Sequence, residues 1–328
     1  MRLSILDQSP IVLGHDARRA LLETLALARR ADALGYHRYW LAEHHAIAAL
    51  ADPCPELLVA RLGAETSRLR VGTGGVLLPY YSAFRTAESF RMLEALYPGR
   101  IDLGVGRAPG GDALTARAVA GGGFPDPERF PEQVWELAAH LSGRLPAEHP
   151  YRRLRLQPEV ATVPEIWLLG SSDYSGALAA QLGMAFSFAH FINPQGGEEV
   201  MRAYRGGFRP GHEQSPRTMV CTFAICGEDD ADAERLAQAI DLRRLHMALN
   251  VDAPVPSAEE AARHPYTAEE RRYVLSQRAR AVIGGPQRVR RELEAMAQRY
   301  GADEVMVLTI TGDYSSRLAS YERLIGAF

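Results

Sequence analysis

The sequence contains no lysine, so all 37 residues in its lysine-plus-arginine count are arginine. This absence excludes Schiff-base chemistry on a lysine amine and the lysine of a phosphate-binding P-loop. Acidic residues slightly outnumber the arginines, which gives a net charge of -3 at pH 7. A charge of that sign argues against nucleic acid as the main partner.

Cysteine is scarce, and long apolar runs are missing. Cys54, Cys221 and Cys226 form an odd, scattered set without a disulfide framework, which indicates a reducing cytoplasm. No stretch approaches the ~20 apolar residues of a membrane span, and no signal peptide precedes the first apolar run. No His-x-His pair ends a predicted strand, so no metal site is expected. We therefore expect a cytoplasmic protein that does not enter the membrane.

Short apolar runs alternate with helical patterns along the chain. This alternation predicts parallel strands joined by right-handed crossovers. Eight such units within 328 residues predict an α/β fold, a (β/α)8 TIM barrel that forms one domain over residues 1–328. The predicted strands are Leu3–Leu6, Tyr39–Ala42, Leu69–Thr73, Ile101–Val105, Ile166–Leu169, Met184–Phe188, Thr218–Ile225 and Glu304–Ile310.

One connection, between predicted strands 7 and 8, is unusually long. Residues 251–280 are rich in proline and charge, and they are too many for an ordinary connection. We interpret them as an insertion at the barrel mouth that is helical from Thr267 to Arg280. A mobile lid over the site is the function expected of such a segment.

Three sequence blocks combine an apolar strand with an unusual polar or glycine-rich turn. They are Tyr39–His45, Val71–Gly75 and Gly99–Arg107, and the last turn continues to Gly111. Because the carboxyl ends of parallel strands carry the chemistry of such folds, we expect the active site there. In order and spacing, the blocks resemble the bacterial luciferase-like monooxygenases, and most closely the small luciferase-like oxidoreductases. The resemblance extends from Ser4 to Val307.

This resemblance implies a homodimeric flavin monooxygenase that uses reduced FMN and O2 on a small organic substrate. No domain for NAD(P)H is visible, so a separate flavin reductase is expected to supply the reduced FMN. Two alternatives remain open. One is a deazaflavin-dependent dehydrogenase or reductase of the same superfamily, and the other is a non-catalytic flavin-binding protein.

His44 is the candidate catalytic residue. Alternation along the strand turns Trp40 and His44 toward the barrel axis and Glu43 away from it, while His45 points away from His44. From the residues alone, His44 could be a polar strand-end residue with a satisfied hydrogen bond. The resemblance implies instead that it faces the reactive edge of the flavin and supports the oxygen chemistry. A pKa near neutrality would suit it for proton transfer.

The candidate cofactor-binding residues fall into two groups. The resemblance implies that Gly74 and Gly75 lie under the flavin ring, joined by a cis peptide bond. The turn Gly170–Ser175, which joins the fifth strand to the next helix, offers hydroxyl and N–H groups to an anion, and the alternative is ordinary helix capping. The resemblance implies that this turn, together with an arginine after the fourth strand, holds the flavin phosphate. These residues are Arg107, Gly170, Ser171, Ser172 and Ser175.

Asp7 and His190 could line the substrate side of the site, because each lies at the end of a predicted strand. The alternative for both is a structural polar group. Gly106 stands where light-emitting relatives carry a bulkier, thiol-bearing residue. Neither light emission nor specificity for long-chain aldehydes is therefore expected, and the sequence does not identify the organic substrate.

Overall fold

The computed structural model describes residues 1–107 and 111–328, so part of the turn predicted at residues 106–111 lies outside the described residues. Within the described residues the chain forms nine strands, β1 to β9, and twelve α-helices, α1 to α12. The strands are Arg2–Asp7, Arg38–Leu41, Arg70–Leu77, Ile101–Gly106, Glu165–Gly170, Ala185–Ala189, Thr218–Cys226, Ala281–Gly284 and Glu304–Leu308. The helices are Ala17–Leu34, Pro55–Glu65, Ala83–Leu96, Ala113–Val119, Phe130–Ser142, Asp173–Leu182, Gly197–Gly207, Asp230–Ala248, Ala258–Arg263, Ala268–Gln277, Pro286–Tyr300 and Tyr314–Gly326.

Eight of these strands close into a parallel barrel. Their order is β6-β5-β4-β3-β2-β1-β9-β7, and pairing of β6 with β7 completes the ring. One apolar core lies between the strands and the outer helices, and a second fills the barrel itself. The predicted (β/α)8 barrel is therefore confirmed.

The eight predicted strands are the eight of the ring, and β8 is an additional strand outside it that the sequence analysis did not predict. It pairs in parallel with the second half of β7, from Phe223 opposite Ala281 to Cys226 opposite Gly284. β8 has only four residues. A run that short, next to a charged helical segment, carries too little periodicity to be recognised from sequence.

The insertion at residues 251–280 contains α9, α10 and a short 3-10 turn. Thr267 begins α10 with a capping box, in which Glu270 reaches back to the Thr267 backbone. Ahead of these helices, the Val255 N–H donates to the Ile11 carbonyl at 2.8 Å, and Val255 accepts from the Leu13 N–H at 2.8 Å. The predicted helix is thus confirmed, while the place of the insertion at the barrel mouth and its mobility stay predictions.

The amino end of the barrel is closed by a buried charge cluster around Arg38. The Arg38 guanidinium contacts Asp102 at 2.8 Å, Glu165 at 2.9 Å and Glu304 at 3.1 Å. These contacts tie β2 to β4, β5 and β9, and they leave the opposite end of the barrel for a ligand. Among the described helices, none is long and apolar enough to cross a bilayer.

Candidate active site

A cavity of about 310 Å³ opens at the carboxyl ends of the barrel strands. Each of the eight barrel strands, or the turn that follows it, contributes to its walls. Side chains that point inward from the strands form the floor, and the turns after β2, β4 and β5 form the rim. The floor includes Leu6, Trp40, Leu169, Ser187, Cys221 and Met306.

His44 lines this cavity from the turn after β2. Its Nδ1 lies 3.4 Å from the Ala42 carbonyl, and its backbone N–H donates to the Asp52 carbonyl at 3.2 Å. Burial lowers the pKa of His44 to about 4, and the charges of Arg243 and His45 act in the same direction. The expectation of a near-neutral pKa was therefore wrong. The imidazole is neutral at pH 7, and it can accept or donate a hydrogen bond without carrying charge.

His45 has a structural partner, as alternation along the strand predicted. Its Nε2 lies 2.7 Å from Oε1 of the buried Glu43. Glu43 also accepts hydrogen bonds from the Leu77 N–H at 2.9 Å and from the Tyr81 hydroxyl at 2.7 Å. Glu43 thus fastens the end of β2 to the end of β3, and this contact fixes the turn that carries His44.

The second sequence block forms a bare stretch of backbone on the cavity wall. Gly74 and Gly75 both line the cavity, and the peptide bond between them is cis, which confirms that prediction. A Cβ at Gly74 would lie 2.7 Å from Leu6 Cδ1, and one at Gly75 would lie 2.7 Å from the Gly104 carbonyl oxygen. The backbone contact excludes a side chain at Gly75, and the bare backbone at both positions lets a planar ring approach closely.

Arg107 and the amino end of α6 form the polar rim of the cavity. Gly170, Ser171, Ser172 and Ser175 all line it. Ser172 is the N-cap residue, but its side chain makes no capping hydrogen bond, and its Oγ lies 3.4 Å from Ser175 Oγ. In the first turn, the Tyr174 N–H donates to Asp173 Oδ1 at 2.8 Å. The capping alternative therefore does not describe these serines. A helix amino end with two serine hydroxyl groups beside it is suited to bind an anion.

Arg107 supplies a cation next to this helix end. Its guanidinium lies over the Tyr174 ring at 4.3 Å, and the side chain is exposed. Within residues 1–107 and 111–328, no carboxylate pairs with it. Gly106 also lines the cavity, and a Cβ there would have no atom within 4 Å. The missing side chain at Gly106 thus adds free space to the site.

Asp7 and His190 do not line the cavity. Asp7 is fully buried and ion-paired with Arg317, and it accepts hydrogen bonds from the Ser9 N–H at 2.7 Å and the Thr24 hydroxyl at 3.0 Å. His190 contacts the Tyr300 hydroxyl at 2.7 Å and the Ala279 carbonyl at 3.0 Å. Their strand-end positions suggested a substrate role, but partners on neighbouring elements hold both side chains.

Several cavity residues were not predicted as part of the site. They are Gln8, Glu43, Ser187, Phe191, Cys221 and Met306. Alternation along the strands would have found Ser187, Cys221 and Met306, because each points inward from its strand. Gln8 and Phe191 follow strand ends, and sequence gives no signal for which way their side chains turn.

The chain is similar in sequence and in fold to known monooxygenases. The sequence model of the luciferase-like monooxygenase family matches residues 1–304. The chain is 37% identical to the luciferase-like monooxygenase of Escherichia coli K12, covering 97% of this chain and 94% of that protein. It is 36% identical to the N-acetyl-S-alkylcysteine monooxygenase of Bacillus subtilis, covering 100% and 98%. The crystal structure of apo-MsnO8 superposes with a TM-score of 0.92 at 38% identity, covering 100% and 98%.

Proposed function

We propose that this chain, which belongs to the luciferase-like monooxygenase family, is the oxygenase component of an FMN-dependent monooxygenase that acts on a small organic substrate. The observation that supports the proposal is the meeting of three features in one cavity. They are the neutral imidazole of His44, the bare backbone of Gly74 and Gly75, and the amino end of α6 beside Arg107. Reduced FMN bound there would supply the electrons that activate dioxygen.

Arg107, Ser172 and Ser175 would hold the flavin phosphate through the amino end of α6. Gly74 and Gly75 would contact the ring, because a side chain at either position would collide with the barrel wall. The apolar floor around Trp40 would exclude water from the ring. Each of these roles concerns binding or orientation, which is the part that the protein contributes.

His44 would act on the oxygen chemistry through its neutral imidazole. A neutral ring can donate a hydrogen bond from one nitrogen and accept one at the other. Since its pKa is about 4, His44 keeps that form across the physiological range. It would therefore donate or accept a proton at a ring nitrogen, while the imidazole of the resting protein stays uncharged.

A separate flavin reductase is the expected partner, and a homodimer is the expected assembly. The described cysteines are free thiols, as in a protein of the reducing cytoplasm. The similarity to an N-acetyl-S-alkylcysteine monooxygenase makes small thioethers the first substrates to test.

Titration with oxidised FMN, reduced FMN and a deazaflavin, followed by oxygen consumption, tests the proposal. We expect tight binding of reduced FMN, and oxygen uptake that increases with a thioether substrate. Hydride exchange with a bound deazaflavin and no oxygen uptake would favour the dehydrogenase alternative. Flavin binding without turnover of either kind would favour a binding protein. Light scattering on the same sample gives the molar mass and so tests whether the protein is a homodimer.

A further inference from the structure

Two sulfur-containing side chains stand on neighbouring strands in the floor of the cavity. Cys221 on β7 is the register partner of Met306 on β9, and adjacent strands lie about 4.8 Å apart. Both side chains line the cavity, although Cys221 is only 3% exposed and Met306 only 1%. A small molecule that forms inside the cavity therefore meets sulfur on its inner wall.

The position of Met306 differs from that of every other methionine in residues 1–107 and 111–328, because it alone lines the cavity. Met219 lies on β7 and is fully buried in the core that fills the barrel, but it does not reach the cavity. Met92 on α3 and Met247 on α8 are 60% and 64% exposed. The chain thus contains methionines in a cavity wall, in a closed core and on the surface, which provides internal controls.

The thiol and the thioether of this pair differ in how they react with a peroxide. A thiol reacts as its thiolate, and burial raises the pKa of the Cys221 thiol well above its ordinary value. Cys221 therefore stays protonated and unreactive. A thioether needs no ionisation, and a peroxide converts methionine directly to its sulfoxide. Met306 is thus the sulfur of the pair that an oxidant in the cavity would attack.

The proposed function supplies such an oxidant whenever the organic substrate is missing. Reduced FMN then passes two electrons and two protons to O2, which yields oxidised FMN and hydrogen peroxide. At Met306 the O–O bond of the peroxide would break, one oxygen atom would bond to the sulfur, and the other would leave as water. The sulfur loses two electrons and the peroxide gains them, so the step needs no further reagent.

We propose that Met306 is a self-oxidation site, an internal thioether that takes up oxygen when reduced FMN reacts with O2 while no organic substrate occupies the cavity. This inference rests on the proposed monooxygenase function and adds a modification site to it. A sulfoxide is polar, whereas Met306 packs in an apolar cluster that includes Leu6 and Trp40. Oxidation would therefore disturb the floor of the cavity, and the protein would lose activity during turnover without substrate.

The test supplies the protein with repeated additions of reduced FMN and air in the absence of an organic substrate. Catalase in the solution destroys peroxide that has left the protein, and this enzyme is too large to enter the cavity. Peptide mass spectrometry then locates the added oxygen. We expect sulfoxide at Met306 in most chains, while Met219, Met92 and Met247 stay unmodified. N-acetyl-S-methylcysteine, a small thioether, should protect Met306 when it is present.

Hydrogen peroxide added to the flavin-free protein provides the comparison. Peroxide from the solution should oxidise the exposed Met92 and Met247 before Met306, so the order of oxidation should reverse between the two experiments. Met306 oxidation that catalase abolishes would show that the oxidant comes from the solution, and this would overturn the inference. Equal oxidation of Met219 and Met306 would overturn it too, because the position in the cavity would then not matter.

Leucine at position 306 separates the sulfur chemistry from packing. Leucine and methionine have similar volumes, so Met306→Leu should melt close to the wild type. The wild type should lose substrate oxygenation progressively during turnover without substrate, whereas Met306→Leu should retain its own starting activity. The matched control Met219→Leu should lose activity as the wild type does. Equal losses in Met306→Leu and the wild type would contradict the inactivating role of the sulfoxide.

Product analysis distinguishes the inference from the function on which it rests. Oxygenation of an added thioether, with Met306 unmodified in the substrate-free experiment, overturns the self-oxidation site and leaves the monooxygenase standing. Sulfoxide at Met306 in the presence of catalase, without oxygenation of any added substrate, supports the site and counts against the proposed function. The absence of both reactions overturns both.

Discussion

Removal of the Arg107 guanidinium tests the placement of the flavin phosphate. Arg107 stands at the rim of the cavity beside the amino end of α6, and no described carboxylate competes for it. A hydrogen bond to a charged group contributes about 1.5–3 kcal/mol. Arg107 is exposed, so solvent screens the interaction and the lower end of that range applies. Arg107→Ala should therefore weaken FMN binding by about tenfold.

Riboflavin provides the internal comparison, because it has the same ring without the phosphate. Fluorescence quenching should show riboflavin affinity within about twofold of the wild type, since ring contacts are unaffected. The FMN difference should also shrink as salt rises. Arg85→Ala is the matched control, because Arg85 is an exposed arginine on α3, away from the cavity. Equal losses for both flavins would refute the phosphate role, and unchanged FMN binding would place the phosphate elsewhere.

Three further predictions follow from the geometry. His44→Ala should slow substrate oxygenation by about 10²- to 10⁴-fold with little change in FMN affinity, whereas His45→Ala should not; equal slowing would contradict the assigned strand register. Asp52→Asn should stabilise the protein at about pH 8 and not at about pH 4. Burial raises the pKa of Asp52 from its ordinary value of 3.8 to about 7. The free energy of unfolding therefore falls as pH rises from about 4 toward 7, and asparagine avoids this loss because it cannot ionise. Equal shifts in melting temperature at both pH values would contradict this. Residues 251–280 should resist proteolysis better with FMN bound, and equal cutting rates would argue against a lid.

The local pattern of the sequence was sufficient for the barrel and for the direction of His44. Strand alternation assigned His44 and His45 to different surroundings, but it wrongly turned Glu43 away from the site. β2 ends at Leu41, so regular alternation does not extend to these residues. The placement of Gly74 and Gly75 at the site came from the resemblance, because two adjacent glycines alone also fit an ordinary bend. The cis bond between them followed from the resemblance and not from the residues.

Tertiary contacts determine the features of the site that the sequence could not predict. The pKa of His44 depends on burial and on Arg243, which lies almost 200 residues away in the chain. Asp7 ends a strand as a site residue would, but Arg317 on α12 neutralises it. His190 is likewise bound by Tyr300 on α11. A polar residue at a strand end can serve the site or the fold, and only the partner on another element distinguishes the two.

The amino end of the barrel holds a buried arginine that the fold itself neutralises. Arg38 is surrounded by three carboxylates, which hold its pKa above the ordinary value despite burial. This arrangement satisfies the charge within the fold, so the amino end needs no ligand. The cavity at the opposite end is lined instead by glycine backbone, serine hydroxyls and the neutral imidazole of His44, which leave hydrogen-bonding groups open to a ligand. The distribution of charge along the barrel therefore agrees with a ligand site at the carboxyl ends of the strands.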